Sequence, residues 1–356
     1  EVDPFDPTST PKKHSSLGRF KHEGANVIVA ESGKVVAYSG DDERFDYLYK
    51  FVSKDYYKEG DRAHNMTLLS AGNLYVARFT GNSADFKASE VPADGAFDGT
   101  GEWLPLVVDG GSAIEGMSVE EVLVYTRLAA DRAGKMVDNV RQGPTKMDRA
   151  EDVEPSLHTG KVYVACTNNS DRGKAGKEAA AEINPRNENR DGHIVEITET
   201  GDQTSTTFTW NLLMVCGDPA TDKFTYFSGF PVDKVSPISC PDNLAFDSVG
   251  NLWISTDGAP AGIGKADGLF KVTLEGAERG KVEQFLAVPK EGETCGPIIH
   301  DDERTVFVSV QHPGEDGTFE KQNSFFPDYV KEGASPARGQ ARAPRPSVIQ
   351  VFRADA

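Results

Sequence analysis

The chain has 356 residues, with 38 Lys and Arg against 56 Asp and Glu, a formal net charge of −18. So acidic a balance argues against a nucleic-acid phosphate backbone as partner and suits carboxylates gathered around hard cations such as Ca²⁺. Hydrophobic residues make up 38%, with 35 Gly and 20 Pro, the composition of many short strands joined by turns; no apolar run approaches the roughly 18 residues a membrane span needs.

The opening "EVDPFDPTSTPKK" reads as the interior of a longer chain, a strand end running into a Pro/Asp turn. "GRFKHEGANV" (Gly18–Val27) follows. It offers His22 and Glu23, then a small pair, Gly24-Ala25, that lets other groups approach. "SGKVVAYSGDDERFDYLYKFVS" (Ser32–Ser53) predicts a hairpin. Val35 to Tyr38 form one strand, "GDDERF" the loop, and Tyr47, Tyr49 and Phe51 alternate along the next strand. "AGNLYVARFTG" (Ala71–Gly81) predicts another strand. "EGMSVEEVLVYTRLAADRAGK" (115–135) breaks the pattern as one inserted helix. Ser118 caps it, Glu121 takes the capping-box position, and Val122, Tyr125, Leu128 and Ala129 form its apolar face.

"RAEDVEPSLHTGKVYVACTNN" (Arg149–Asn169) places an arginine and three carboxylates just before an apolar strand containing Tyr163 and Val164. Residues 167–192 read as a long loop. "CPDNLAFDSVGNLWISTDG" (Cys240–Gly258) sets Asp242 before one strand and Trp253 and Ile254 in the next. "ETCGPIIHDDERTVFVSVQHPG" (Glu293–Gly314) offers Glu293, then a strand with Phe307 and Val308. Residues 319–347 read as a second long loop. The recurring unit is a Gly-bearing turn followed by a short strand, unevenly spaced, which fits propeller blades carrying insertions. The expected fold is therefore all-β, with residues 1–356 a single β-propeller domain fragment.

The chemistry must come from residues just outside those strands, because the central ends of blade strands converge on one axial cavity. Hard cations want several oxygen ligands from different parts of a rigid frame, and Glu23, Glu151 and Asp242 are the candidates. Arg149, two residues before Glu151, lies on the same side of an extended segment and suits a phosphate or carboxylate substrate. "DDER" at 41–44 and again at 301–304 reads as turn chemistry. No GxSxG, P-loop or HExxH motif is present. His22, His193 and His312 are possible ligands or acid–base groups, although His312 in "VQHPGE" equally suits a turn before Pro313. Cys166, Cys216, Cys240 and Cys295 form no CxxC spacing, which speaks against structural zinc; they read as buried thiols, with a disulfide an option that sequence cannot pair.

Six stretches together resemble one family: "LGRFKHEGANV", "SGDDERFDYLYKFV", "RAEDVE...TGKVYVACTNN", "NPRNENRDGHIVEI", "CPDNLAFDSVGNLWISTDG" and "TCGPIIHDDERTVFVSVQHPGE". They are similar to the PhoX family of bacterial alkaline phosphatases, in family order. The resemblance implies a six-bladed propeller exported by the twin-arginine route to the periplasm or outside, hydrolysing phosphate monoesters at an iron and calcium cluster. Carried over, it makes Glu23, Glu151 and Asp242 metal ligands and Arg149 the phosphate-binding arginine. His22, Asp152, Asn169 and Glu293 are expected to support them from behind. The family's N-terminal half, with a cysteine and a glutamate that help hold iron, is not in this sequence. Ca²⁺ is thus the cation expected of this chain, while Fe³⁺ needs the rest of the family pattern. A partial propeller also leaves edge strands that could pair between chains; the sequence sets no oligomeric state. Two other readings share these features: a calcium-dependent, lactonase-like propeller hydrolase, and a non-catalytic propeller that binds a partner.

Overall fold

The computed structural model of the chain describes residues 1–302, 304–328 and 343–354. The chain divides into two compact units: Glu1–Ala84, Asp98–Val164 and Glu196–Asn211 form the first, and Asp85–Phe97, Ala165–Val195 and Leu212–Ala356 the second.

The early strands are β1 (Asn26–Val29), β2 (Lys34–Gly40), β3 (Leu48–Tyr56), β4 (Gly72–Thr80), β5 (Asp98–Val108) and β6 (Gly111–Ser112). A small hairpin, β7 (Lys135–Val137) and β8 (Val140–Gln142), precedes β9 (Ala150–Pro155), β10 (Val162–Cys166), β11 (His193–Glu199) and β12 (Thr207–Val215). All of these except the separate hairpin β7-β8 build one sheet in the order β1-β2-β3-β4-β5-β12-β11-β10-β9, with β6 on β5. The predicted hairpin forms, Gly40 pairing with Leu48 across the "DDERF" loop. Its strands are buried on both faces. Ala37, Tyr47, Tyr49 and Phe51 join an apolar cluster on one side. On the other side the cross-strand pair Tyr38 and Lys50 meets Glu199. The Lys50 Nζ donates to Glu199 at 3.0 Å, the Tyr38 hydroxyl at 2.8 Å and the Trp103 indole at 3.0 Å. Burial pulls the Lys50 ammonium down to about 8 even with Glu199 beside it.

The segment read as one helix over 115–135 is two. Val119–Val124 carries the capping box, Ser118 accepting from the Glu121 N–H and Glu121 from the Ser118 N–H. The chain leaves helical geometry at Tyr125 and resumes over Thr126–Arg132. The break turns the apolar stripe. Val122, Thr126, Ala129 and Ala130 are buried, whereas Tyr125 and Leu128 are 56% and 44% exposed. The small residues win the core face because Thr126 must fit against Gly18, where its side chain would lie 2.9 Å from an added Cβ.

Unit 2 holds two antiparallel sheets. The first is β13 (Pro241–Phe246), β14 (Leu252–Thr256), β15 (Gly268–Val272) and β16 (Val282–Ala287); the second is β17 (Glu293–Ile299), β18 (Thr305–Gln311) and β19 (Ser347–Phe352). Trp253, Leu269 and Val306 form its core cluster. Tyr163, Val164, Trp253, Ile254, Phe307 and Val308 all lie in strands, as the alternation and β-branched content predict. Residues 167–192 contain no helix or extended strand before His193, only the isolated bridges Asn169–Asn189 and Ala181–Asn184. This loop is packed, not solvated: Arg172, Asn184 and Asn189 are buried within it. Of the second predicted loop, 319–347, residues 329–342 lie outside the described residues.

Candidate metal and phosphate site

In unit 1 the site is built on β9 and the two segments that press against it. Gly40, at the end of β2, lies so close that an added Cβ would sit 1.9 Å from the Ala150 carbonyl oxygen. Gly24 is as tight, 2.1 Å from the Asp152 Oδ1 on the same measure. Both positions therefore require glycine, and the small residue noted in "HEGAN" has its cause. The Gly24 N–H donates to the Glu151 carbonyl at 3.1 Å, which sets Glu23 and Glu151 on adjoining backbone segments.

Arg149 has φ +57°, a left-handed conformation uncommon outside glycine. Its side chain is held as a fork: Nε lies 2.7 Å from Asp42 Oδ1, and Nη2 lies 2.7 Å from Glu151 Oε1. Glu151 is buried, the guanidinium a quarter exposed. Asp152, also buried, accepts from the Asn26 amide at 2.9 Å and from the Val153 N–H at 2.8 Å, so it ties β9 to β1. Glu154, beyond it, is pushed up to about 8 by burial and then by the Asp152 charge. His22 spends its ring on local contacts: Nδ1 is 2.8 Å from Ser39 Oγ, Nε2 is 3.1 Å from the Gly18 carbonyl, and the ring stacks on Phe20.

The first "DDER" is more than a turn. Asp41 is fully buried and takes a two-pronged ion pair from Arg127, with Nε at 2.6 Å from Oδ2. Asp42 holds Arg149, and Glu43 pairs with Lys21 at 2.7 Å. The second copy behaves as expected, Asp302 accepting from the Arg304 and Thr305 N–H groups. No sequence signal separated the two copies, because their partners come from far along the chain.

In unit 2 the carboxylates of Asp242, Asp257 and Glu293 converge, each offering an oxygen within 4.8 Å of the others. Local irregularities aim them. The β13–β14 register slips between Pro241 and Leu244, placing Asp242 and Asn243 in the slip. Cys240 has φ +54°, and its carbonyl receives the Asp257 N–H at 3.0 Å. A second slip, between Cys295 and Ile298, lets the Gly296 N–H reach Asn243 Oδ1 at 2.7 Å and joins β17 to the same corner. The Glu293 carboxylate lies 3.0 Å from His312 Nε2. Burial drives both nearby thiols up to about 12, Cys240 and Cys295 alike. The groups that converge are carboxylates, a hard-oxygen donor set of the kind that holds cations. The sequence groups Asp242 with Glu23 and Glu151 and sets Glu293 behind them; here Asp242 lies with Asp257 and Glu293. Glu293 belongs in the trio, and Asp257 went unnoticed although "STDG" sets an aspartate directly after a buried strand.

Asn169 is buried in unit 2, its Oδ1 accepting from the Asp171 N–H at 3.1 Å. His193 is fully buried and held down to about 3, first by burial and then by Arg172 and Arg186. Its imidazole is therefore held in the neutral form.

The sequence profile described as alkaline phosphatase PhoX matches residues 1–314. The chain belongs to the PhoX family. The solved structure of Pseudomonas fluorescens PhoX in complex with vanadate, a transition state analogue, is 34% identical and superposes with a TM-score of 0.79, covering 99% of this chain. This PhoX chain spans 56% of the length of that relative. The match carries the fold with it, and the all-β, partial-propeller class expected from the sequence holds. The extracellular domain of a hybrid two component system from B. thetaiotaomicron matches at 12% identity over 82% of this chain and 34% of that one, with a TM-score of 0.24. No curated protein matches. Among the described residues, no helix is long and apolar enough to cross a membrane.

Proposed function

We propose that the chain serves an exported, metal-dependent phosphatase that hydrolyses phosphate monoesters, with Arg149 orienting the phosphate and Ca²⁺ held by carboxylates. The observation that carries this reading is the convergence of Asp242, Asp257 and Glu293 in a chain whose first 314 residues match PhoX. Each unit is assigned its own carboxylates: Glu23 and Glu151 in unit 1, and Asp242 in unit 2 with Asp257 and Glu293 added beside it. Vanadate in the Pseudomonas fluorescens structure mimics a phosphoryl-transfer transition state, which supports the same chemistry here. Iron, implied by the family pattern, is not assigned to any residue of this chain.

Bound cations would neutralise phosphate oxygens and acidify the attacking water. The chain's own residues do the positioning. Asp42 and Glu151 fix the guanidinium plane, so the arginine loses little freedom when it meets a phosphate. The same carboxylates repel a phosphate dianion, because a single arginine does not offset Glu23, Asp42, Glu151 and Asp152. Divalent cations resolve that conflict, which is why the arrangement reads as metal-dependent.

The test is turnover of p-nitrophenyl phosphate against a panel of lactones, with and without a Ca²⁺ chelator. Phosphate-ester turnover lost on chelation supports the reading. Lactone turnover instead, or phosphate-ester turnover indifferent to chelation, overturns it.

A further inference from the structure

We propose that His312 is the positioning residue of the acidic trio, fixing the Glu293 carboxylate so that it faces Asp242 and Asp257. The inference rests on the reading of that trio as a cation site. The turn role that the sequence allowed for His312 does not describe where its ring goes. Residue 311 ends β18, and Gln311 pairs directly with Glu293 on β17. One residue later the backbone swings out with φ +34° at His312, a costly conformation for a non-glycine residue. Pro313 follows and narrows the options further. That swing brings the imidazole back across the strand pair.

Nε2 then lies 3.0 Å from Glu293 Oε2, and Nδ1 lies 3.3 Å from Glu315 Oε2 and 3.4 Å from the Glu291 carbonyl. An ionised carboxylate only accepts, so the Nε2–H donates to Glu293. The contact has a specific consequence. The terminal torsion of a glutamate is broad and roughly two-fold, so an unassisted carboxylate spreads over many orientations. Holding one oxygen sets the plane of the group and hence where the carboxylate points. Asp242 needs less help, because Asn243 Nδ2 lies 3.1 Å from its Oδ1 and its side chain is short and buried. Glu293 is the longest arm of the three. Removal of a hydrogen-bonding partner behind a metal ligand typically costs about 10–100-fold in metal affinity.

The experiment is calorimetric titration of the full chain with Ca²⁺ alone, together with the thermal midpoint measured with and without Ca²⁺. Asparagine tolerates left-handed backbone but cannot span to Glu293, so His312→Asn removes the donor without adding backbone strain. We expect it to weaken Ca²⁺ binding about 10–100-fold and to shrink the Ca²⁺-induced rise in midpoint, with the Ca²⁺-free midpoint little changed. His312→Gln, whose amide reaches toward the position of Nε2, should recover part of the affinity. Asp242→Asn separates the two layers of the argument. If Asp242→Asn leaves Ca²⁺ binding intact, the cation-site reading fails and takes this inference with it. If Asp242→Asn abolishes binding while His312→Asn binds as wild type, the trio stands and His312 is a turn residue. A His312→Asn protein whose Ca²⁺-free midpoint collapses, with His312→Gln no better, also assigns His312 to structure alone.

Discussion

Replacing Arg149 by alanine is the sharpest perturbation of the proposed site. The side chain makes two charge-assisted contacts of 2.7 Å, one to Asp42 and one to Glu151. Two costs should follow, and they are read separately. The first is kinetic. Removing one preorganised donor facing charge that develops in the transition state lowers kcat/KM by about 10²–10³-fold, or roughly 2.7–4 kcal/mol. The second is structural. Glu151, whose side chain is 5% exposed, loses the guanidinium beside it, a loss of about 1–3 kcal/mol by the general penalty for stripping a buried charged group of a partner. Bound metal content should hardly change, because a guanidinium has no lone pair to offer a cation. Lysine at 149 should restore only part of the rate, since one ammonium cannot bridge Asp42 and Glu151 as the fork does. The assays are p-nitrophenyl phosphate turnover and elemental analysis of metal per chain. Full turnover by Arg149→Ala with its metals in place would refute the phosphate-clamp role and leave Arg149 as a strut between two carboxylates.

Further expectations test other parts of the structure. Lys50→Met leaves Glu199 buried without its cation, and denaturant unfolding should show a loss of about 3–5 kcal/mol; an unchanged midpoint would mean that the Tyr38 and Trp103 donors suffice. Asp257→Asn should weaken Ca²⁺ binding measured by calorimetry by at least about tenfold, by removal of one charged oxygen ligand. Gly40→Ala would place a Cβ against the Ala150 carbonyl, and overpacking of this kind costs about 1–3 kcal/mol; the thermal midpoint reads it. Glu154 has its folded pKa raised to about 8, above the unfolded value near 4.5, so the folded state binds the extra proton between those values. Its contribution to stability is fully present below about pH 4.5 and is lost as pH rises through 8. Glu154→Gln should therefore raise the midpoint relative to wild type at pH 8–9 and lose that advantage near pH 4.5; equal midpoints across this range would show that Glu154 ionises freely.

Strand positions were legible in the sequence because their cause is local. Runs such as "KVVAY" and "NLWIST" combine β-branched and aromatic side chains between turn residues, and each became a strand. The Ser118–Glu121 capping box was readable for the same reason, since all its atoms lie within four residues. Membership of the PhoX family was readable from six short motifs in order. Side-chain partnership was not. The two "DDER" copies are identical in sequence, yet Asp41 is buried against Arg127, 86 residues away, while Asp302 caps its own turn. Asp257 drew no attention after its strand, and only the strand slips at Pro241–Leu244 and Cys295–Ile298 bring it to Asp242 and Glu293. The break at Tyr125 was equally silent, because the apolar pattern admits either stripe and the tight fit of Thr126 against Gly18 selects one. A carboxylate's role depends on which charges lie within about 3 Å of it and on how much water is left around it. Both are set by contacts between residues far apart in the chain, which only the tertiary structure fixes.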